Sequence, residues 1–193
     1  MQQSALQHPG QIISGALKGK KLFSPKGIKI RPTSDRIRES IFNILAHRIP
    51  DSVVLDLFAG TGALGIEALS RGASFAFFID SDKDAVSLIE KNISACRLQD
   101  RIKIIRADIV KNNVALKNGY PPVDLVFMDP PYNKNLIKPA LINLSASSIL
   151  QKNALIIIEH AQTETLPEYV SEYKLSDQRR YGKTLVSFLN YMV

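Results

Sequence analysis

The strongest constraint on the fold is a regular alternation of short apolar runs with helical segments, which begins at Val53. Five runs rich in β-branched and aromatic side chains are typical of strands that are buried on both faces of a sheet. These runs are 53–58, 75–80, 102–106, 125–128 and 155–158. The segments between them at 63–71, 82–96 and 136–150 have helical spacing. The alternation predicts an α/β fold with a parallel, doubly wound sheet.

The two ends of the chain depart from this alternation. Segments 173–178 and 184–192 both resemble strands and are separated by a short turn around Gly182, which predicts a terminal antiparallel hairpin. At the other end, residues 11–23 predict a hairpin or extended arm that lies outside the core. Residues 34–49 predict a helix that Ser34 caps and Pro50 ends.

These patterns divide the chain into three parts. Residues 1–10 lack periodicity and predict a flexible tail. Residues 11–50 form a basic arm with its helix, and residues 51–193 form the α/β domain. With 193 residues, the chain can build one substantial hydrophobic core.

Charge distinguishes the N-terminal part from the rest of the chain. The formal net charge is +7, and residues 1–50 hold nine Lys and Arg side chains against two acidic ones. The remaining residues carry equal numbers of basic and acidic groups. Because Lys and Arg contacts with phosphates supply most of the sequence-independent affinity for nucleic acid, this excess predicts a polyanionic partner. A solubilising basic face is the simpler alternative.

Several classes of protein are disfavoured by composition. The single Cys96 excludes an intramolecular disulfide and a cysteine-based metal cluster within the chain, and we expect it to be a helix residue. The three histidines lack ligand-like spacing, so we expect no metal site. Apolar runs such as 154–158 are too short to span a membrane, and no signal-peptide pattern is present. We therefore expect a cytoplasmic protein without membrane association.

A glycine-rich loop follows the first predicted strand. Residues 60–65 have the spacing G-x-G-x-x-G and open a helix, and Asp80 lies twenty positions beyond Gly60. Glycines allow close approach of a ligand to the backbone, while a carboxylate at the end of the second strand can accept hydrogen bonds from ribose hydroxyls. The pattern predicts a bound adenosine, but it fits a dinucleotide as well as S-adenosylmethionine.

Two further carboxylates favour S-adenosylmethionine. Asp56 ends the first strand, where a negative charge would repel a pyrophosphate but suits a cationic sulfonium ligand with an amino group. A structural role as a cap for the following loop is the alternative for Asp56. Asp108 ends the third strand and could accept from the adenine amino group, with Ile109 packed near the ring. The predicted cofactor residues are Asp56, Phe58, Gly60, Thr61, Gly62, Asp80, Ser81, Asp108 and Ile109.

The candidate catalytic residues are Asp129, Pro130, Pro131 and Tyr132, which leave the sheet after the strand at 125–128. Asp129 and the Pro130 carbonyl can each accept one hydrogen of a planar amino group, which favours attack of its nitrogen on a sulfonium methyl. Tyr132 offers a ring on which an extruded base can stack. This chemistry suits guanine N2, adenine N6, cytosine N4 and a glutamine amide alike. A Pro-Pro turn with a packed tyrosine is the structural alternative.

Together these residues resemble a known class of enzymes. The sequence DLFAGTGALG at 56–65, the acid Asp80 and the sequence DPPY at 129–132 are similar to class I S-adenosylmethionine-dependent methyltransferases. The likeness to the RsmD family is closer, through Ile13-Ser14-Gly15, Lys18-Gly19, the RPTSDRIRESIFNIL segment at 31–45 and Tyr181-Gly182-Lys183-Thr184. It extends from about residue 12 to residue 190.

The resemblance implies a Rossmann-like fold with a mostly parallel seven-stranded sheet, an antiparallel C-terminal hairpin and a basic N-terminal β-hairpin extension. It also implies methylation of guanine N2 in 16S rRNA, within a small ribosomal subunit or an assembly intermediate. The RNA contacts that it implies are Lys18, Lys20, Lys21, Arg31, Arg36 and Arg38. Gln11 departs from the family pattern, which has an arginine there, and this puts one RNA contact in doubt.

Other functions compete with this interpretation. A methyltransferase acting on adenine N6 of DNA or RNA, or on a protein glutamine amide, would keep the catalytic residues and change the substrate. A nicotinamide-dependent oxidoreductase would use the glycine spacing, and a noncatalytic RNA-binding module would use only the basic arm. The N-terminal charge favours nucleic acid, and the chain has no sizeable separate domain for reading a DNA sequence.

Overall fold

The computed structural model describes residues 10–24, 32–111, 120–166 and 171–193. Within these ranges it contains a seven-stranded sheet with the order β3-β2-β1-β4-β5-β7-β6. Strands β1 to β5 are parallel, β7 is antiparallel to β5, and β6 is antiparallel to β7. The predicted α/β architecture, mostly parallel and with an antiparallel C-terminal hairpin, is confirmed. The predicted tail at 1–10 lies outside the described residues except for Gly10.

The bounds of the elements agree closely with the sequence patterns in the centre of the chain. The strands are β1 (Val53–Leu57), β2 (Phe75–Asp80), β3 (Ile102–Arg106), β4 (Val123–Met128), β5 (Leu150–Ala161), β6 (Tyr173–Tyr181) and β7 (Thr184–Tyr191). The helices are α1 (Pro32–Ile44), α2 (Ala63–Ser70), α3 (Lys83–Cys96) and α4 (Ile137–Ala146), with a short 3₁₀ helix at Gln99–Arg101.

Several elements differ from prediction in length. Helix α4 ends at Ala146, short of the predicted 150, and strand β6 continues to Tyr181, beyond the predicted 178. Strand β5 extends well beyond the predicted 155–158. Its start was not predicted because residues 151–153 are polar and exposed, and its pairing with β4 shifts register between Val123 and Leu125. Helix α1 begins at Pro32 and ends at Ile44, whereas the prediction was 34–49. Proline is compatible with the first turn of a helix because its missing N–H has no intrahelical acceptor there.

Helices cover both faces of the sheet and divide the core into two clusters. On one face α1, α2 and α3 contribute buried residues such as Phe42, Ile66 and Ile93. On the other face α4 contributes Leu141 and Leu144. Cys96 is buried in α3, as predicted. No helix among the described residues has the length and apolar character needed to cross a membrane.

The N-terminal segment, residues 10–24, packs against the core, although the sequence predicted an arm outside it. Ile12 is 0% exposed and Leu22 is 2% exposed. A single antiparallel bridge joins Gln11 to Lys21, so the segment folds back on itself with little regular strand. The prediction failed because two isolated apolar residues among basic ones give no periodic signal, yet each reaches the core.

Candidate active site

The carboxyl ends of the parallel strands bring the predicted site residues to one edge of the sheet. Leu57 of β1 pairs with Met128 of β4, and Met128 pairs with Ile158 of β5. The glycine loop, Asp129 and Glu159 follow these three residues directly along the chain. In open α/β sheets ligands bind at this edge, so the arrangement marks a candidate ligand site.

The glycine loop has the geometry that its spacing predicts. Gly62 adopts a left-handed backbone with φ of 77° where α2 begins. A Cβ atom at Gly65 would lie 2.4 Å from the ring of Phe78, so only glycine allows α2 to pack this closely on β2. The loop therefore holds the start of α2 against the sheet edge and exposes backbone to an approaching ligand.

Asp80 links the glycine loop to the end of β2. Its Oδ2 accepts from the Gly60 N–H at 2.9 Å, and its Oδ1 accepts from the Asp82 N–H at 2.9 Å. Each carboxylate oxygen can accept a second hydrogen bond. Asp80 is thus fixed by the backbone and retains the capacity to bind ribose hydroxyls. Ser81, also predicted for the cofactor site, is exposed immediately after it.

Asp56 lies beneath the loop and does not line the open cleft. The residue is 1% exposed, and its Oδ2 accepts from the Gly65 N–H at 2.9 Å. Burial raises the pKa of Asp56 well above its usual range, against the lowering effect of the Gly65 hydrogen bond. This geometry supports the alternative of a structural cap for Asp56. Phe58, which directly follows β1, is half-buried and has a φ of 59°.

The turn after β3 carries the other predicted adenosine contacts. Asp108 is half-buried, and its Oδ1 accepts from the Val110 N–H at 3.0 Å. Ile109 is 3% exposed. The side-chain amide of Asn143 on α4 donates to the Ile109 carbonyl at 2.8 Å and to the Val110 carbonyl at 3.0 Å. Asn143 could not be predicted as part of this turn, because a single polar residue on an amphipathic helix is ordinary.

The DPPY segment is held through its tyrosine. The Tyr132 hydroxyl donates to Glu159 Oε1 at 2.7 Å and lies 3.4 Å from Thr184 Oγ1. Burial, more than the neighbouring acids, raises the pKa of Tyr132, so the hydroxyl stays protonated as a donor. Pro130 is buried, whereas Pro131 is exposed. Glu159 was not among the predicted site residues, although it directly follows the predicted strand at 155–158, which was a usable signal.

Asp129 and Glu159 form an acidic pair. Desolvation by the surrounding protein raises the pKa of Asp129, and the negative charge of Glu159 raises it further. Burial also raises the pKa of Glu159, while the Tyr132 hydrogen bond lowers it. Asp129 is accessible from the open cleft, so solvent there moderates its desolvation.

A cavity of about 180 Å³ joins these residues to the N-terminal segment. It is lined by Gly10, Leu22, Phe23, Ser24, Arg38, Thr61, Ala63, Leu64, Asp129 and Glu159. A larger cavity of about 490 Å³ borders Asp51, Asp124 and Asn153. It lies at the amino ends of the parallel strands, away from the edge at which such sheets bind ligands, so we assign the site to the smaller cavity.

The predicted RNA contacts divide into two groups. Lys18, Lys20 and Lys21, the lysine cluster, are exposed on the N-terminal segment, and Arg36 is exposed on α1. Arg38 is a correction, because it is 7% exposed and its guanidinium donates to the Gln11 carbonyl at 2.6 Å. Arg38 therefore links α1 to the N-terminal segment and lines the cleft. Arg31 lies outside the described residues.

Histidine and carboxylate side chains are common metal ligands, and His160 lies near the acidic residues of the site. His160, the next-to-last residue of β5, is 1% exposed, and its Nε2 lies 2.8 Å from Ser187 Oγ. It is a core residue with internal partners. Within the described ranges, no group of three or more His, Cys, Asp and Glu side chains is placed to hold a metal ion.

The strand order, the glycine loop after β1 and the Asp-Pro-Pro-Tyr segment after β4 define a class I methyltransferase fold. Comparison with known proteins agrees. The family model described as "Conserved hypothetical protein 95" matches residues 10–190. The Escherichia coli protein named ribosomal RNA small subunit methyltransferase D is 35% identical over 90% of this chain and 85% of its own length.

Solved structures and more distant relatives extend the comparison. The structure of the Escherichia coli protein yhhF has a TM-score of 0.82 and 32% identity, over 94% of this chain and 97% of that one. The human MTRF1L release factor glutamine methyltransferase is 31% identical over 53% of this chain and 32% of its own length. The chain therefore belongs to the RsmD family of methyltransferases.

Proposed function

We propose that this protein transfers a methyl group from S-adenosylmethionine to the N2 amino group of a guanine in 16S rRNA. The observation that carries the proposal is the placement of Asp129 and its Pro-Pro-Tyr segment beside the glycine loop, at the ends of the neighbouring strands β4 and β1. The glycine loop can hold the nucleoside of the methyl donor, and the Asp-Pro-Pro-Tyr segment can hold a planar amino group.

The residues around the glycine loop fit S-adenosylmethionine. Asp80 has acceptor capacity for ribose hydroxyls, and Asp108 with Ile109 lies at the next strand end for the adenine. Gly62 begins α2 without a side-chain cap, so backbone N–H groups there can receive the methionine carboxylate. When bound, the donor supplies an electrophilic methyl group on a sulfonium.

Asp129 and Pro130 would position the accepting amine. The Asp129 carboxylate accepts one amine hydrogen, and the Pro130 carbonyl accepts the other, which favours a more tetrahedral nitrogen. Methyl transfer is an in-line displacement, so alignment of nitrogen, methyl and sulfur supplies much of the acceleration. The nitrogen would form a bond to the methyl carbon as the carbon–sulfur bond breaks, and Asp129 would accept the proton that the product ammonium loses.

The choice of rRNA rests on the relatives and on charge. The Escherichia coli relative that carries a small-subunit rRNA methyltransferase name matches this chain over most of both lengths. The exposed lysine cluster supplies a surface for phosphates. A glutamine amide is the second candidate, favoured by the human glutamine methyltransferase, but that likeness covers only 32% of the human protein.

The decisive experiment offers the protein four acceptors with labelled S-adenosylmethionine. These are unmethylated small ribosomal subunits, naked 16S rRNA, DNA and a protein extract, and the methylated product is identified by mass. We expect label in RNA as N2-methylguanine. Label confined to DNA or protein would contradict the proposal. Asp129→Ala, assayed in parallel, removes the acceptor for the amine hydrogen and should lose transfer, while its affinity for S-adenosylmethionine, measured by calorimetry, changes little.

A further inference from the structure

A second carboxylate lies beside Asp129 and has no role in the chemistry described above. Met128 and Ile158 are paired across β4 and β5, and Asp129 and Glu159 are the next residues on these strands. Neighbouring strands are about 4.8 Å apart, so the two acidic residues lie side by side, Asp129 just past the end of β4 and Glu159 still within β5, where it pairs with Val186 of β7. Both line the same cavity.

Glu159 is held in a defined orientation. Its Oε1 accepts the hydrogen bond from the Tyr132 hydroxyl at 2.7 Å, and Thr184 Oγ1 lies 3.4 Å from the same hydroxyl. Because Tyr132 engages Oε1, the other oxygen of Glu159 can accept a hydrogen bond from a ligand. The cleft thus presents two carboxylates, one on the segment that positions the amine and one anchored by that segment's tyrosine.

Two adjacent acceptors discriminate among planar amino groups by what lies next to the amine. In guanine the N2 amino group is adjacent to N1–H, which is a donor. In adenine and cytosine the amino group is adjacent to a ring nitrogen lone pair, and in a glutamine amide it is adjacent to the carbonyl oxygen. A second carboxylate would form a hydrogen bond with guanine, but it would repel the acceptor atom in the other three.

We propose that Glu159 selects guanine, its carboxylate accepting N1–H while Asp129 accepts a hydrogen of the N2 amino group. The inference rests on the proposed function and names the residue that restricts it to one base. Glu159 is a specificity-determining residue, because it contacts the base beside the reacting nitrogen and takes no part in methyl transfer.

The test compares guanine with 2-aminopurine at the methylated position of ligated 16S rRNA, reconstituted into subunits where needed. The analogue keeps the C2 amino group but carries a lone pair at N1. The wild-type protein should prefer guanine in kcat/KM by about 10-fold to 100-fold, as expected for one mismatched polar group in a site that excludes water.

Glu159→Gln should weaken or abolish this discrimination. Its carbonyl oxygen can still accept from Tyr132, while its NH₂ group faces N1, where it opposes the N1–H of guanine and suits the lone pair of 2-aminopurine. The guanine preference should fall at least about 10-fold relative to wild type. The loss of guanine O6 in the analogue affects both proteins equally and cancels in this comparison.

Controls separate specificity from folding and charge. Glu159→Gln should bind S-adenosylmethionine as wild type does. Glu90→Gln, which removes the same charge from an exposed position on α3, should keep the wild-type preference. If Glu159→Gln does not fold, Tyr132→Phe removes the anchoring hydroxyl and should weaken the preference by itself.

The outcomes distinguish the two proposals. A guanine preference that changes less than about threefold in the variant that folds would overturn the role of Glu159 and leave the proposed function intact. Absence of wild-type transfer to guanine in any of the RNA substrates would instead contradict the proposed function, and the inference would fall with it.

Discussion

Glu67 on α2 gives the sharpest prediction about how the N-terminal segment is attached. The residue is 0% exposed, and its two carboxylate oxygens accept from the Ile13 N–H at 2.7 Å and from the Ser14 N–H at 3.0 Å. Oε1 also accepts from Arg71 Nε at 2.7 Å. A single buried carboxylate therefore satisfies three donors from two parts of the chain.

Replacing Glu67 with Gln keeps the shape but removes one acceptor oxygen and the charge. The new NH₂ group must face at least one of the three donors, and a buried donor without an acceptor costs about 1–3 kcal/mol. Weakening of the remaining charge-assisted bonds adds to this. We expect a loss of about 3 kcal/mol in the free energy of unfolding, which corresponds to roughly 6–12 °C in Tm for a domain of this size.

Thermal and urea unfolding, followed by circular dichroism, measure this loss. Glu90→Gln makes the same chemical change at an exposed position on α3 and should leave Tm within about 2 °C, since surface substitutions are usually neutral within about 0.5 kcal/mol. A Tm for Glu67→Gln within about 2 °C of wild type would refute the reasoning that this carboxylate holds the segment to α2.

The acidic pair, the lysine cluster and the packing of α2 each lead to one further prediction. Methyl transfer should increase with pH as Asp129 ionises through its raised pKa, and Glu159→Gln should move this increase to lower pH by removing the neighbouring negative charge; an unmoved pH–rate profile would contradict the pairing. Alanine at all three positions of the lysine cluster should weaken RNA binding. The slope of log K against log[salt], measured by titration at several salt concentrations, should become shallower by about 0.7–0.9 for each phosphate that the protein no longer neutralises. Gly65→Ala should destabilise the protein by about 1–3 kcal/mol in urea unfolding, because the added methyl overlaps the Phe78 ring.

The centre of the fold could be predicted from the sequence because its strands are buried on both faces. Strands β2 and β3 have the predicted bounds, and Asp82, the first residue of the predicted helix at 82–96, caps α3 through its side chain. Prediction was weaker where burial does not govern the pattern. Residues 151–153 near the start of β5 are polar and exposed, so the sequence has no apolar pattern there that would predict a strand.

The site was predictable where a motif fixes the backbone and unpredictable where a partner is distant in sequence. The positions of the glycine loop and of Asp129 follow from the strands that precede them. By contrast, the buried position of Arg38 depends on the Gln11 carbonyl, a contact across 27 positions that charge counting cannot reveal. Glu159 directly follows a predicted strand, but its place beside Asp129 depends on the pairing of β4 with β5.

The N-terminal segment connects the charged surface to the candidate active site through one buried amide. Asn92 on α3 is 0% exposed; it accepts from the Phe23 N–H at 2.7 Å and donates to the Phe23 carbonyl at 3.1 Å and to the Thr61 carbonyl at 2.8 Å. Phe23 and Thr61 both line the cleft that contains Asp129. Asn92 therefore joins the segment that carries the lysine cluster to the glycine loop, and the same segment forms one wall of the cleft. A change in the position of this segment should alter both the exposed charge and the shape of the cleft.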